Sequence, residues 1–127
     1  MLPLIPIAAG IWVAKAIYDN VTRSKNVAHG YERELAIARY LRGTGADVHV
    51  SPGSRGPADL TATWSSGRVW KIQVKASRQG IPKQPSPEER RRLKQVATRA
   101  GAVAVVAISQ GTRTAYYSAR TGDRLYP

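Results

Sequence analysis

The spacing of apolar and polar positions divides the chain into segments of different kinds. Met1 to Tyr18 is almost wholly apolar, with Lys15 its one charge, and Asp19 to His29 is polar and reads as a linker. From about Gly30 to Leu41 the pattern turns helical. Tyr31, Leu35, Ala38 and Leu41 recur at the spacing that puts side chains on one helix face. Glu32 and Glu34 fall in the first turn, where acids complement the helix dipole, and Gly43 and Gly45 end the helix. In Ala46 to Val50, Val48 and Val50 alternate with Asp47 and His49, the period of a half-buried strand.

A loop rich in Gly, Pro and Ser, Ser51 to Pro57, then delivers the chain to two strand-like runs. These are Asp59 to Trp64 and Val69 to Lys75, joined through a turn at Ser65-Ser66-Gly67. After a polar stretch, Ser86-Pro87-Glu88-Glu89 carries the signature of a helix start: Ser to cap, Pro at the first position, Glu three residues after the Ser. Leu93, Val96, Ala97 and Ala100 form the stripe of that helix, and Gly101 stops it. Ala102 to Ile108 is continuously apolar and predicts a buried central strand. Gln110-Gly111 turns the chain into an alternating last strand, Thr112 to Ala119, and Thr121 to Pro127 shows no pattern.

The order is helix, three strands, helix, two strands. It predicts an α/β fold, a mixed central sheet flanked by helices, with an extra apolar N-terminal helix. At 127 residues the chain suits a single core, so residues 1–29 read as an apolar segment with its linker and residues 30–127 as the domain.

Charge narrows the class of partner. Twenty Lys and Arg against eight Asp and Glu give a net charge of +12 and a pI near 10.8. Nucleic acid is the first partner to expect and an anionic membrane surface the second. The absence of cysteine excludes disulfides, thiolate zinc sites and a cysteine nucleophile, and is compatible with a cytoplasmic location. His29 and His49 are too few and too far apart for a zinc site. Residues 1–18 fall slightly short of the roughly 20 apolar residues that span a bilayer, and Pro3 and Pro6 interrupt their start. Three readings stand for this segment: a membrane anchor with Arg23-Ser24-Lys25 on the cytoplasmic side, a helix buried against a partner subunit, or a completion of the core.

The hairpin carries the chemistry. Side chains two apart on a strand point the same way, so Gln73 and Lys75 share a face, and pairing across the turn brings Asp59 near them. An acid, an amide oxygen and an ammonium converging in this way can form a hydrolytic site: oxygen ligands for a hard divalent cation, with a positive charge beside the attacking water. The loop before Asp59 adds glycines that let backbone amides approach a phosphate, with Ser54 and Arg55 as further donors.

These residues together resemble the restriction-endonuclease-like superfamily of metal-dependent nucleases, and within it the archaeal-type Holliday junction resolvases. That family begins with Gly, a short spacer and Glu-Arg-Glu-Leu on its first helix; here the run is Gly30-Tyr31-Glu32-Arg33-Glu34-Leu35. A strand, a Ser-containing loop and Asp before an apolar residue follow, matched by Ser54 and Asp59-Leu60. An apolar strand reading Glu-Val-Lys comes next, matched by Gln73-Val74-Lys75, and then a second helix and an apolar run like Ala102 to Ile108. The likeness covers about Gly30 to Tyr117.

The resemblance implies that Asp59 is the central ligand of Mg2+ or Mn2+, with Gln73 the second ligand and Glu32 assisting. Glu34 is the alternative acid, since only one of the two can face the site. Lys75 would orient or activate water, and Arg33, Ser54 and Arg55, with Lys71 and Arg78 near the motif, would touch DNA phosphates. It further implies a homodimer that hydrolyses opposed strands of a four-way junction. The chain departs from the family at Gln73, which keeps a carbonyl oxygen but loses the negative charge of Glu, so metal affinity should fall. A non-catalytic or membrane-tethered nucleic-acid-binding module on the same fold is therefore the rival expectation.

Overall fold

A computed structural model describes residues 30–52 and 56–127. The N-terminal segment, with its anticipated helix and membrane contact, lies outside the described residues, as do Ser54 and Arg55. No helix among the described residues is long and apolar enough to cross a membrane.

The first helix, α1, covers residues 30–43. The strands are β1 (Asp47–Val50), β2 (Leu60–Thr63) and β3 (Val69–Ser77), followed by the second helix, α2 (Pro87–Arg99), and then β4 (Val103–Gln110), β5 (Arg113–Ser118) and β6 (Arg124–Leu125). The strands form one six-stranded mixed sheet in the order β1-β2-β3-β4-β5-β6. Neighbours are antiparallel except β3 and β4, which run parallel from Trp70 beside Val103 to Ser77 beside Gln110. Parallel neighbours need a crossover connection, and α2 supplies it.

The two helices divide the core. On one side of the sheet, Ile37, Ala38 and Leu41 of α1 pack with Val48, Leu60, Ala62, Trp70, Ile72, Val105 and Tyr116. On the other, Leu93 and Ala97 of α2 pack with Ala58, Ala104, Val106 and Ala119. The buried stripe of α1 is thus rotated from the one its sequence suggests. Tyr31 and Leu35 are 53% and 36% exposed, while Ile37, Ala38 and Leu41 are covered. Only one face of the helix meets the sheet, and the residue that begins that face, three before Ile37 and four before Ala38, is Glu34.

Local chemistry fixes the remaining joints. Gly67 adopts φ +89°, a conformation costly to residues with a Cβ, and closes the β2–β3 turn with its N–H donating to the Trp64 carbonyl. Trp64 meets Trp70 edge-on at 5.0 Å and donates its indole N–H to Thr44 Oγ1, which ties the hairpin to the end of α1. The C-terminal residues without a sequence pattern add a short sixth strand, whose partners are Tyr116 and Tyr117 of β5.

Candidate active site

The pairing of β2 with β3 sets Leu60 opposite Ile72, both facing α1. Continuing that register by one residue sets Asp59 opposite Gln73, toward α2. The backbone confirms the alignment: Asp59 N–H donates to the Ile72 carbonyl at 2.8 Å, and Ser51 N–H donates to the Asp59 carbonyl at 2.9 Å. The Asp59 carboxylate also accepts the Val74 N–H through Oδ2 at 2.8 Å. Asp59 is thereby held at the end of β2, against the strand that carries Gln73 and Lys75.

Gln73 and Lys75 meet a residue from the other side of the chain crossover. Glu89, in the first turn of α2, accepts from Lys75 Nζ at 2.7 Å and from Gln73 Nε2 at 2.9 Å, both through Oε2. Its other oxygen, Oε1, accepts the Ser86 N–H at 3.1 Å, while its own N–H donates to Ser86 Oγ at 3.1 Å. The expected capping box is present, and its glutamate serves two purposes at once. Gln73 is buried, and its carbonyl oxygen Oε1 has no hydrogen-bond partner. An unpaired buried acceptor costs on the order of 1–3 kcal/mol, so it marks a place suited to a further ligand.

Of the two acids in α1, Glu34 shares these surroundings. Its carboxyl is pushed up to about 7, first by burial and then by the negative charge of Asp59. Asp59 is itself raised, mainly by burial, with Glu89 adding to the effect, and the Val74 N–H and Lys75 working against it. Glu89 goes the other way, held down at about 2 by Lys75 first and by the Ser86 N–H second. Glu32 is exposed, on a part of α1 turned away from the buried stripe. Helical geometry explains the choice: residues two apart point in nearly opposite directions, and Glu34 is the one in phase with Ile37, Ala38 and Leu41.

Asp59 and Glu89 therefore lie by a buried amide and one ammonium, and Glu34 feels the charge of Asp59. Burial with like charges nearby disfavours ionised carboxylates, and a cation relieves that. The donors are all oxygen, which suits a hard ion such as Mg2+ or Mn2+. No three His, Asp or Glu side chains among the described residues stand close enough to form a ready-made metal cage. A site here would draw on Asp59 and on the Gln73 amide oxygen.

The residues expected to touch phosphate are dispersed. Arg33 donates from Nε to the buried Ser109 Oγ at 2.9 Å, which ties α1 to β4. Lys71 donates to Thr61 Oγ1 at 3.0 Å across the β2–β3 pair, and Arg78 is exposed just beyond β3. A shallow groove of about 400 Å3 runs along the exposed side of α2, lined by Arg91, Lys94, Thr98, Arg99 and Arg120. Arg120 donates to Thr98 Oγ1 there. A larger hollow of about 480 Å3 lies between α1 and the C-terminal strands, where Arg33, Tyr40, Tyr116 and Tyr126 line it, away from Asp59 and Lys75.

Comparison with known proteins gives a match of fold. No protein-family model matches the chain, and no curated protein does. Among solved structures it is similar to Hjc, a Holliday junction resolvase from the archaeal hyperthermophile Archaeoglobus fulgidus, with a TM-score of 0.63 and 22% sequence identity. The match covers 72% of this chain and 78% of that one. The likeness first carried by short motifs is thus also a likeness of the folded chain.

Proposed function

We propose that this protein is a metal-dependent DNA endonuclease that hydrolyses phosphodiesters in four-way junctions, acting as a homodimer. The observation that carries the reading is the placement of Asp59, Gln73 and Lys75 on neighbouring strands of a sheet with the fold of a junction resolvase. The strongly basic chain supplies the attraction to a branched polyanion.

A Mg2+ or Mn2+ ion held by the Asp59 carboxylate and Gln73 Oε1 would polarise a phosphate oxygen and lower the pKa of a water. The protein's own groups do the rest. Asp59 is kept in position by the Val74 N–H, so its free oxygen is oriented before any ligand arrives. Lys75 Nζ, on the same face as Gln73, would supply positive charge beside the attacking water and the charge that develops on the phosphate. Glu34, raised to about 7 by burial and by Asp59, titrates near neutral pH, and positive charge entering the site would favour its ionised form.

The test is cleavage of an end-labelled four-way junction beside a matched linear duplex, with Mg2+, with Mn2+ and with chelator, using Lys75→Ala as the control. Metal-dependent symmetric cuts confined to the junction and lost in Lys75→Ala support the reading. Tight binding without cutting in either metal would overturn it in favour of a binding module, the reading that Gln73 in place of an acid favours. A monomer by sedimentation at micromolar concentration would sink the paired-cut mechanism.

A further inference from the structure

We infer that Glu89, from the first turn of α2, is the second carboxylate ligand of the divalent cation, in place of the acid that β3 lacks at Gln73. The inference rests on the proposed reading only for the class of ligand; its evidence is the geometry around Glu89.

Glu89 reaches the Gln73 amide and the Lys75 ammonium from across the crossover. Its Oε2 lies 2.9 Å from Gln73 Nε2 and 2.7 Å from Lys75 Nζ. Both are positive or partly positive groups crowded on one carboxylate oxygen, occupying the side from which a cation would be coordinated. The amide that faces Glu89 with its N–H leaves its own oxygen, Oε1, buried and unpartnered. With Gln73 only 8% exposed, that orphan is deep enough to be costly. Nε2 now fills the side toward Glu89, so a cation would be held with the amide turned over, Gln73 Oε1 and Glu89 Oε2 both toward the ion.

The carboxylate is also preorganised and reachable. The capping box fixes Oε1 through Ser86, so the rotamer of Glu89 is set by the helix start and not by the ion. Its side chain is 41% exposed, which leaves a route for a hydrated ion. Charge is conserved in the exchange. The strand gives up one negative charge at Gln73, and the helix returns one at Glu89, so the site has Asp59 and Glu89 as its acids with Gln73 as a neutral donor. With the rotamer kept by Ser86, a cation at Oε2 would displace Lys75 Nζ from that oxygen, so filling the site would also release its ammonium.

Mn2+ binding to the intact protein, without DNA, is the test, read by the loss of the free-ion paramagnetic resonance signal. Glu89→Gln is the informative variant. Gln at this position still completes the capping box, so the helix start is kept while the charge is removed. Mn2+ affinity should fall by at least about tenfold, the scale on which even outer partners of a ligand act. Asp59→Asn should abolish binding and thereby locate it. The swap Gln73→Glu with Glu89→Gln returns the charge to the strand and should recover affinity to within a few-fold of the unmodified protein. Wild-type affinity in Glu89→Gln, with its melting transition intact, would overturn the inference, as would the absence of any Asp59-dependent binding. Binding that behaves as expected in a protein that cuts no DNA supports the inference and counts against the nuclease reading. Junction cutting that Glu89→Gln leaves unchanged does the reverse.

Discussion

Lys75 and Glu89 lie fourteen residues apart in the chain, across the β3–α2 crossover, and 2.7 Å apart in space. Lys75 is therefore held by the capping box of the next helix. A site built this way depends on the helix start as well as on the strands.

Ser86→Ala tests that dependence. Loss of an N-cap hydroxyl costs about 0.5–2 kcal/mol. Ser86 is exposed and hydrogen-bonds to Glu89, not to Asp59, Gln73 or Lys75. We expect a lowered denaturation midpoint in urea and, under conditions where the variant is fully folded, slower junction cleavage. Unchanged cleavage in the folded variant would show that Glu89 does not need its cap.

Glu34 and Glu32 should separate cleanly. Glu34→Gln is expected to lower cleavage at least tenfold, on the order of the effect of a positioned acid or base, while Glu32→Gln leaves it near the unmodified rate. Equal losses in both variants would argue that α1 contributes only through its charge.

Glu34 also predicts a pH dependence of stability for the metal-free protein. Its folded value of about 7 lies above the unfolded 4.5, so between these pH values the native chain keeps a proton that the unfolded chain has lost. The stability this contributes is fully present below 4.5 and is lost as pH rises through 7. Asp59 is shifted in the same direction. Urea melts in chelator at pH 5 and pH 8 should show a fall that Glu34→Gln largely removes. Glu89, held at about 2, has the opposite sign: its contribution is present above 4.5 and lost as pH falls toward 2.

The groove along α2 predicts a salt effect. If Lys94 and Arg120 each meet a phosphate, replacing both with Ala should weaken binding to every DNA structure alike. It should also reduce the slope of log affinity against log salt by about 2, close to one for each phosphate no longer neutralised. Titrations at several salt concentrations measure it, and an unchanged slope would place the DNA elsewhere.

In the core, Leu41 is fully buried at the end of α1, beneath the hairpin. Leu41→Ala should cost about 2–5 kcal/mol, visible as a lower urea midpoint without a change in cooperativity.

What is legible in the chain is local. The hairpin around Gly67, the cap at Ser86 and the apolar run of β4 each announce themselves within a few residues, because turn and cap chemistry act over that range. The phase of α1 does not, since Tyr31 and Leu35 make as good a stripe as Ile37 until the sheet covers one face and leaves the other to water. The choice between Glu32 and Glu34 follows from that phase. Glu89 is visible in the sequence as a cap residue, and capping alone is reason enough for a glutamate at that position. Its partners Gln73 and Lys75 lie across a crossover, and no spacing rule spans one. The two residues of β6 form a strand because β5 offers them an open edge.

Placing Glu89 in the cap has a kinetic consequence. Helix ends fray, and the first turn of α2 can open without the sheet unfolding. When it opens, Glu89 leaves Lys75 and Gln73 together with Ser86, so fraying of the helix and dismantling of the site are one motion. Its lifetime can be timed by hydrogen exchange at the Glu89 amide, which donates to Ser86 Oγ. A cation that pins the side chain should slow exchange at that backbone position, although the amide itself never touches the ion.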